Sequence, residues 1–88
     1  MNDKYEPASH VAWRRVDEEV VVLDLNTSVY YAFNESAARI WELLCDGKSL
    51  ERVVETIVAE FDSPPATVKK DVQALLKDLR AEKLMLSV

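Results

Sequence analysis

His10 and Cys45 are each the only residue of their type in this chain of 88 residues. A structural zinc site draws on four ligands of this kind, and a thiol nucleophile draws on a base beside it, so no His/Cys centre can be assembled. The single glycine, Gly47, leaves no Gly-rich loop to cradle a phosphate. Carboxylates are plentiful but scattered. His10 lies in a polar N-terminal stretch and reads as a solvated surface residue, while Cys45, beside Leu44 near a helix end, reads as a small apolar filler. These residues predict no catalytic centre, no metal site and no cofactor, and they favour a binding protein over an enzyme. The spacing that stands out is basic. Lys69, Gln73, Lys77 and Arg80 recur at i, i+4, i+8 and i+11 and form a ridge along one helix flank of an acidic protein. Such a ridge suits an acidic, extended partner, although an ordinary solvated helix face accounts for the same residues.

Composition narrows the partners. Eleven basic against sixteen acidic residues give a formal charge of −5, which works against a phosphate backbone. One cysteine cannot form an intramolecular disulfide, and neither a signal peptide nor an apolar run long enough to cross a bilayer is visible. The chain therefore reads as cytoplasmic, with neither nucleic acid nor membrane as partner. An apolar content of 49% supports a real core, and the length suits one domain spanning 1–88, with residues 1–10 expected to be flexible.

The positioning elements fall into two halves of different period. From about Val11 to Phe33 the pattern has period two: VAWRRV, VVVLDL and VYYAF, separated by Asp17-Glu18-Glu19 and Asn26-Thr27-Ser28. Breaks this short predict hairpins, hence a three-stranded antiparallel meander with its second strand in the middle. Asp24 predicts an outward parity for that strand, leaving Val21, Leu23 and Leu25 toward the core. In the third strand Val29, Tyr31 and Phe33 share one face, and Tyr30 and Ala32 the other.

From Asn34 the period becomes 3.6. Asn34 caps a helix carrying Ala37, Ile40, Trp41 and Leu44, which ends at Gly47. Ser49 caps a second, with Leu50, Val53, Val54, Ile57, Val58 and Phe61 as its stripe. Pro64-Pro65 opens a third that runs to about Glu82, with Val68, Val72, Leu75, Leu76 and Leu79 buried. The fold class is α+β: three antiparallel strands followed by three helices.

The third strand is an edge of this meander, yet SVYYAF carries no lysine, proline or other charge to blunt it. Left bare, such a window invites aggregation, so something should cover it. The C-terminal LMLSV, a second copy of the chain, or a foreign peptide docking by strand addition would each serve.

The run VVVLDLNTSVYYAFNESAARIWELLCDGKSLERVVETIVAEFD, followed by DVQALLKDLRAEKLM, resembles the PqqD-like family, the RiPP recognition elements. The resemblance covers about residues 11 to 86. It rests on the junction YYAFNESAARIWELL, the turn at Asp46-Gly47, and Asp71, Val72, Leu75, Leu76 and Leu79 in the third helix. It implies a winged helix-turn-helix-like fold that binds the leader segment of a ribosomally made precursor peptide. The leader would add as an antiparallel strand beside strand three, against helix three, and be presented to a modifying enzyme. On that resemblance the peptide-binding positions are Ser28, Val29, Tyr30, Tyr31, Ala32 and Phe33 on the strand, with Lys69, Val72, Gln73, Leu76, Lys77 and Arg80 on the helix. Members serving pyrroloquinoline quinone synthesis share the CDG of Cys45 to Gly47 but carry a proline-glutamate pair in the central hairpin. Here that hairpin reads LDLNTSVYY, which looks more like stand-alone members of lasso-peptide pathways. The implied enzyme partner is then a leader peptidase; a quinone or thioether pathway would supply a radical SAM enzyme. The rival from another class is a winged-helix DNA-binding regulator, for which Lys69, Lys70, Lys77, Arg80 and Lys83 speak. Asp71, Asp78, Glu82 and the net charge speak against it.

Overall fold

The computed structural model describes residues 4–88. In chain order these form β1 (Tyr5–Pro7), β2 (Val11–Val16), β3 (Glu19–Asp24), β4 (Tyr30–Phe33), α1 (Glu35–Cys45), α2 (Leu50–Phe61), α3 (Pro65–Ala81) and β5 (Met85–Ser87). The predicted meander is the antiparallel sheet β2-β3-β4, and the three predicted helices follow it. A two-residue turn joins β2 to β3, with Asp17 at φ 57° supplying the left-handed backbone that tight hairpins need.

The parity of the central strand is the reverse of the one Asp24 suggests. Val20, Val22 and Asp24 face the core, and Val21 and Leu23 lie half-buried on the outer face. Leu25 has left the strand and is 58% exposed. Asp24 tolerates its position because Oδ1 accepts the backbone N–H groups of Asn26 at 2.9 Å and Thr27 at 3.2 Å, while His10 Nε2 lies 3.7 Å from Oδ2. A carboxylate that organises its own turn costs little to bury. His10 is accordingly half-buried against Asp24 rather than freely solvated. The same turn holds Ser28 at φ 63°, so the third strand of the meander starts at Tyr30 and not at Ser28.

Chain ends form a second sheet. β1 pairs antiparallel with β5, Glu6 opposite Leu86, and Tyr5 and Ala8 are buried. Residues 5–8 are thus built into the fold, in place of the flexible lead-in expected for 1–10; residues 1–3 lie outside the described residues. The C-terminal segment covers β1 instead of the edge of β4.

Helix ends follow local chemistry. Asn34 accepts the N–H of Ala37, and Ser49 that of Arg52. α1 closes with Gly47 at φ 80°, where Gly47 N–H reaches Leu44 O and Lys48 N–H reaches Leu43 O. α3 closes in the same way, but with Lys83 at φ 61° in the glycine-favouring position: Lys83 N–H reaches Arg80 O and Leu84 N–H reaches Leu79 O. Between the layers Trp41 is fully buried, edge-on to Trp13 at 6.0 Å between centroids and tilted against Phe33 at 5.8 Å. Fully buried Val20, Val22, Leu44, Val53 and Val72 complete the centre, each contributing about 1.5–3 kcal/mol by transfer from water. Arg15 binds Glu42 through two 2.7 Å hydrogen bonds and Arg39 binds Glu60 through two at 2.9 Å, tying β2 to α1 and α1 to α2.

Candidate functional site

β4 pairs with β3 on one side and, among the described residues, with no strand on the other. Its register against β3 decides which backbone groups are free. Asp24 N–H donates to Val29 O, so that opposed pair is hydrogen-bonded, and pairs alternate from there. Tyr31 and Phe33, opposite Val22 and Val20, direct N–H and C=O toward β3; Tyr30 and Ala32, opposite Leu23 and Val21, direct theirs outward. The side chains alternate as well. Tyr31 and Phe33 are half-buried on the inner face, whereas Tyr30 is 69% exposed on the outer one.

Between β4 and α3 runs a cleft of about 320 Å³. Phe33, Leu75, Leu79 and Leu84 give it an apolar floor, and Tyr31, Asp78 and Glu82 a polar rim. The Tyr31 hydroxyl donates to Glu82 Oε2 at 3.3 Å. Desolvation first, and then the charge and hydrogen bond of Glu82, push the phenol pKa up, so Tyr31 remains a donor at neutral pH. An unpaired strand edge beside an apolar cleft can accept an extended chain, with main-chain bonds on one side and alternate side chains in the cleft.

None of the six helical residues expected to meet a peptide lines this cleft. Lys69, Val72 and Gln73 line a groove with Leu50, Glu51, Val54 and Glu55 of α2. Gln73, Leu76, Lys77 and Arg80 line a second hollow, and the Arg80 guanidinium sits 5.9 Å from the Tyr5 ring centroid. At 100° per residue the apolar stripe of α3 has two flanks. The basic ridge occupies the flank toward α2 and β1, and Leu75, Asp78 and Glu82 occupy the one toward β4. Of the strand residues, Tyr31 and Phe33 line the cleft, Tyr30 and Ala32 offer the outward backbone groups, and Ser28 and Val29 belong to the preceding turn. Asp78 and Glu82 also line the cleft, although they were not among the positions expected from sequence to meet a peptide. Their signal was the acidic i, i+4 spacing on the side of the stripe opposite the lysines.

Cys45 is half-buried, and desolvation, aided by the charge of Glu42, pushes its thiol up to about 12. No group of three or more His, Cys, Asp or Glu among the described residues could hold a metal ion, and no helix is long and apolar enough to cross a membrane.

Architecture and edge together define a winged helix-turn-helix-like α+β domain whose β4 edge lies open beside its last helix. The family described as Coenzyme PQQ synthesis protein D (PqqD) matches residues 19–85, and the chain belongs to that family. A solved structure described as "TbiB1 in Complex with the TbiA(beta) Leader Peptide" is 34% identical, with a TM-score of 0.86 over 91% of this chain and 93% of that one. Another, "Lasso peptide synthetase B1 complexed with the leader peptide", has a TM-score of 0.87 at 24% identity, over 94% and 98% of the two chains. No curated protein sequence matches. Both structures share the fold of this chain, and each is described as a complex with a leader peptide.

Proposed function

We propose that this protein binds the leader segment of a ribosomally synthesised precursor peptide as an antiparallel strand added to β4. It then presents that leader, in the cytoplasm, to the peptidase of a lasso-peptide pathway. The observation that carries this reading is the open edge itself: the outward N–H and C=O groups of Tyr30 and Ala32 stand beside a cleft with an apolar floor. Backbone bonds supply sequence-tolerant affinity, and the cleft supplies selectivity for alternate side chains. The 34% identity to TbiB1, whose structure holds a leader peptide, supports the same assignment.

The test is a titration with the synthetic leader of a candidate precursor peptide. Backbone amide resonances of residues 28–33, Leu75 and Leu79 should shift, and shifts confined to Leu50, Val54 and the rest of α2 would contradict the proposal. Delivery is tested separately, by whether a candidate leader peptidase removes the leader faster when this protein is added.

A further inference from the structure

The two flanks of α3 carry opposite charge, and the acidic one faces the peptide cleft. The charged residues lining that cleft are Asp78 and Glu82, and no cation lines it. The lysine and arginine ridge opens instead toward α2 and β1. No ion pair of the described residues uses Asp78 or Glu82, and Tyr31 occupies only one oxygen of Glu82. The C-terminal end of α3, the negative end of its helix dipole, lies at the same place and further favours a positive charge there.

Strand addition fixes which leader residue meets this potential. Tyr31 spends its own backbone groups on β3, so a residue opposite it on the incoming strand forms a non-hydrogen-bonded pair, the kind in which side chains approach most closely. That residue projects on the inner face, toward Tyr31 and the carboxylates of α3. The residue opposite Phe33 projects on the same face over the apolar floor, and in an antiparallel strand it comes two positions earlier. Resting on the peptide-binding reading above, we infer that the bound leader carries Lys or Arg at the position opposite Tyr31, two residues after an apolar side chain opposite Phe33. The partner is therefore a peptide with an apolar-x-cation pattern, and not the acidic peptide that the basic ridge suggests.

The experiment is a display selection of random 12-residue peptides on the immobilised full chain, at low ionic strength, beside the Asp78→Asn/Glu82→Gln variant. Both substitutions keep size and hydrogen-bonding capacity on exposed side chains, and Asp78→Asn alone leaves the Tyr31 contact intact; thermal melts check that each variant is folded. Peptides selected on the wild type should be enriched in Lys or Arg two residues after an apolar residue, and the double variant should keep the apolar preference but lose the cationic one. A selected peptide should bind the double variant about fivefold more weakly, a margin that shrinks as salt is raised. Selected peptides without a cationic preference, or a preference that survives in the double variant, would overturn the inference while leaving peptide binding in place. Enrichment no greater than on bare matrix would overturn the peptide-binding reading and the inference together.

Discussion

A proline scan of β4 tests whether the backbone groups that hold the fold differ from those proposed to hold a leader. Tyr31 N–H points to β3, and replacing it strands the facing carbonyl of Val22 in a sheet whose inner face is buried. An unpaired buried carbonyl costs about 1–3 kcal/mol, and removal of a half-buried aromatic side chain adds about 1–2 kcal/mol. Tyr31→Pro should thus lose about 2–5 kcal/mol before ring strain is counted, against a total stability of about 4–13 kcal/mol for a chain of this length. Tyr31→Ala isolates the backbone share. Ala32 N–H points outward to solvent, so Ala32→Pro should lose less than about 1 kcal/mol of stability, the tolerance usual on edge strands. The wild type is its own alanine control. In the complex, however, that N–H should donate to the leader, and its loss should weaken binding by about 1–3 kcal/mol, or about 5- to 150-fold. Urea unfolding followed by tryptophan fluorescence reads the first quantity, and anisotropy of a labelled leader the second. Wild-type affinity in Ala32→Pro, or equal destabilisation by the two prolines, would refute the assignment of β4 as the docking edge.

Other perturbations probe the scaffold. Lys83→Gly relieves the left-handed residue that closes α3 and should raise stability by about 0.5–1 kcal/mol and the melting temperature by about 2–8 °C, leaving leader affinity unchanged. The hydrogen bonds from Arg15, reinforced by its charge, hold the Glu42 carboxyl below its ordinary value of 4.5. The stability this provides is fully present above that value and is lost as pH falls through the lower folded one. Glu42→Gln should therefore flatten acid destabilisation below about pH 5, as read by urea midpoints across pH. With its thiol pushed up to about 12, Cys45 should react slowly with a disulfide reagent at pH 8 in the native protein and rapidly in urea; equal rates would place it at the surface.

What was legible in the sequence was local. Asn34, Ser49 and Gly47 act within a turn of where they stand, so the helix ends could be read from residue type alone. Asp24 defeats the alternation rule because two amides of its own turn make an inward carboxylate acceptable. That contact depends on turn geometry, which alternation does not encode. The pairing of Tyr5–Pro7 with Met85–Ser87 joins strands of three residues from opposite ends of the chain, too short for any periodic signal. The apolar stripe of α3 was legible and fixed which side of the helix meets the core. It did not reveal which neighbour stands at each flank, and the charge of the peptide cleft turned on that.

The same long-range pairing offers a reason for the open β4 edge. LMLSV has the composition to cover it, but the left-handed turn at Lys83 redirects the chain, and Leu84 and Met85 are almost fully buried as it leaves α3. Ala8 N–H then donates to Leu84 O at 3.0 Å, and Glu6 aligns with Leu86. Paired with β1 in a separate two-stranded sheet, β5 makes no ladder with β4. The expectation to be tested is that the N-terminal strand keeps the edge clear without touching it, by holding the C-terminal segment in another sheet. Replacing Tyr5 with Asp should loosen β1 by removing a buried aromatic ring and placing a carboxylate there instead, and the freed C-terminal strand would then compete with the leader for β4. Leader affinity should fall in Tyr5→Asp and recover when residues 85–88 are also removed. Failure to recover in a variant shown to be folded would mean that β5 has no access to the edge, and that β4 stays open for a reason other than this pairing.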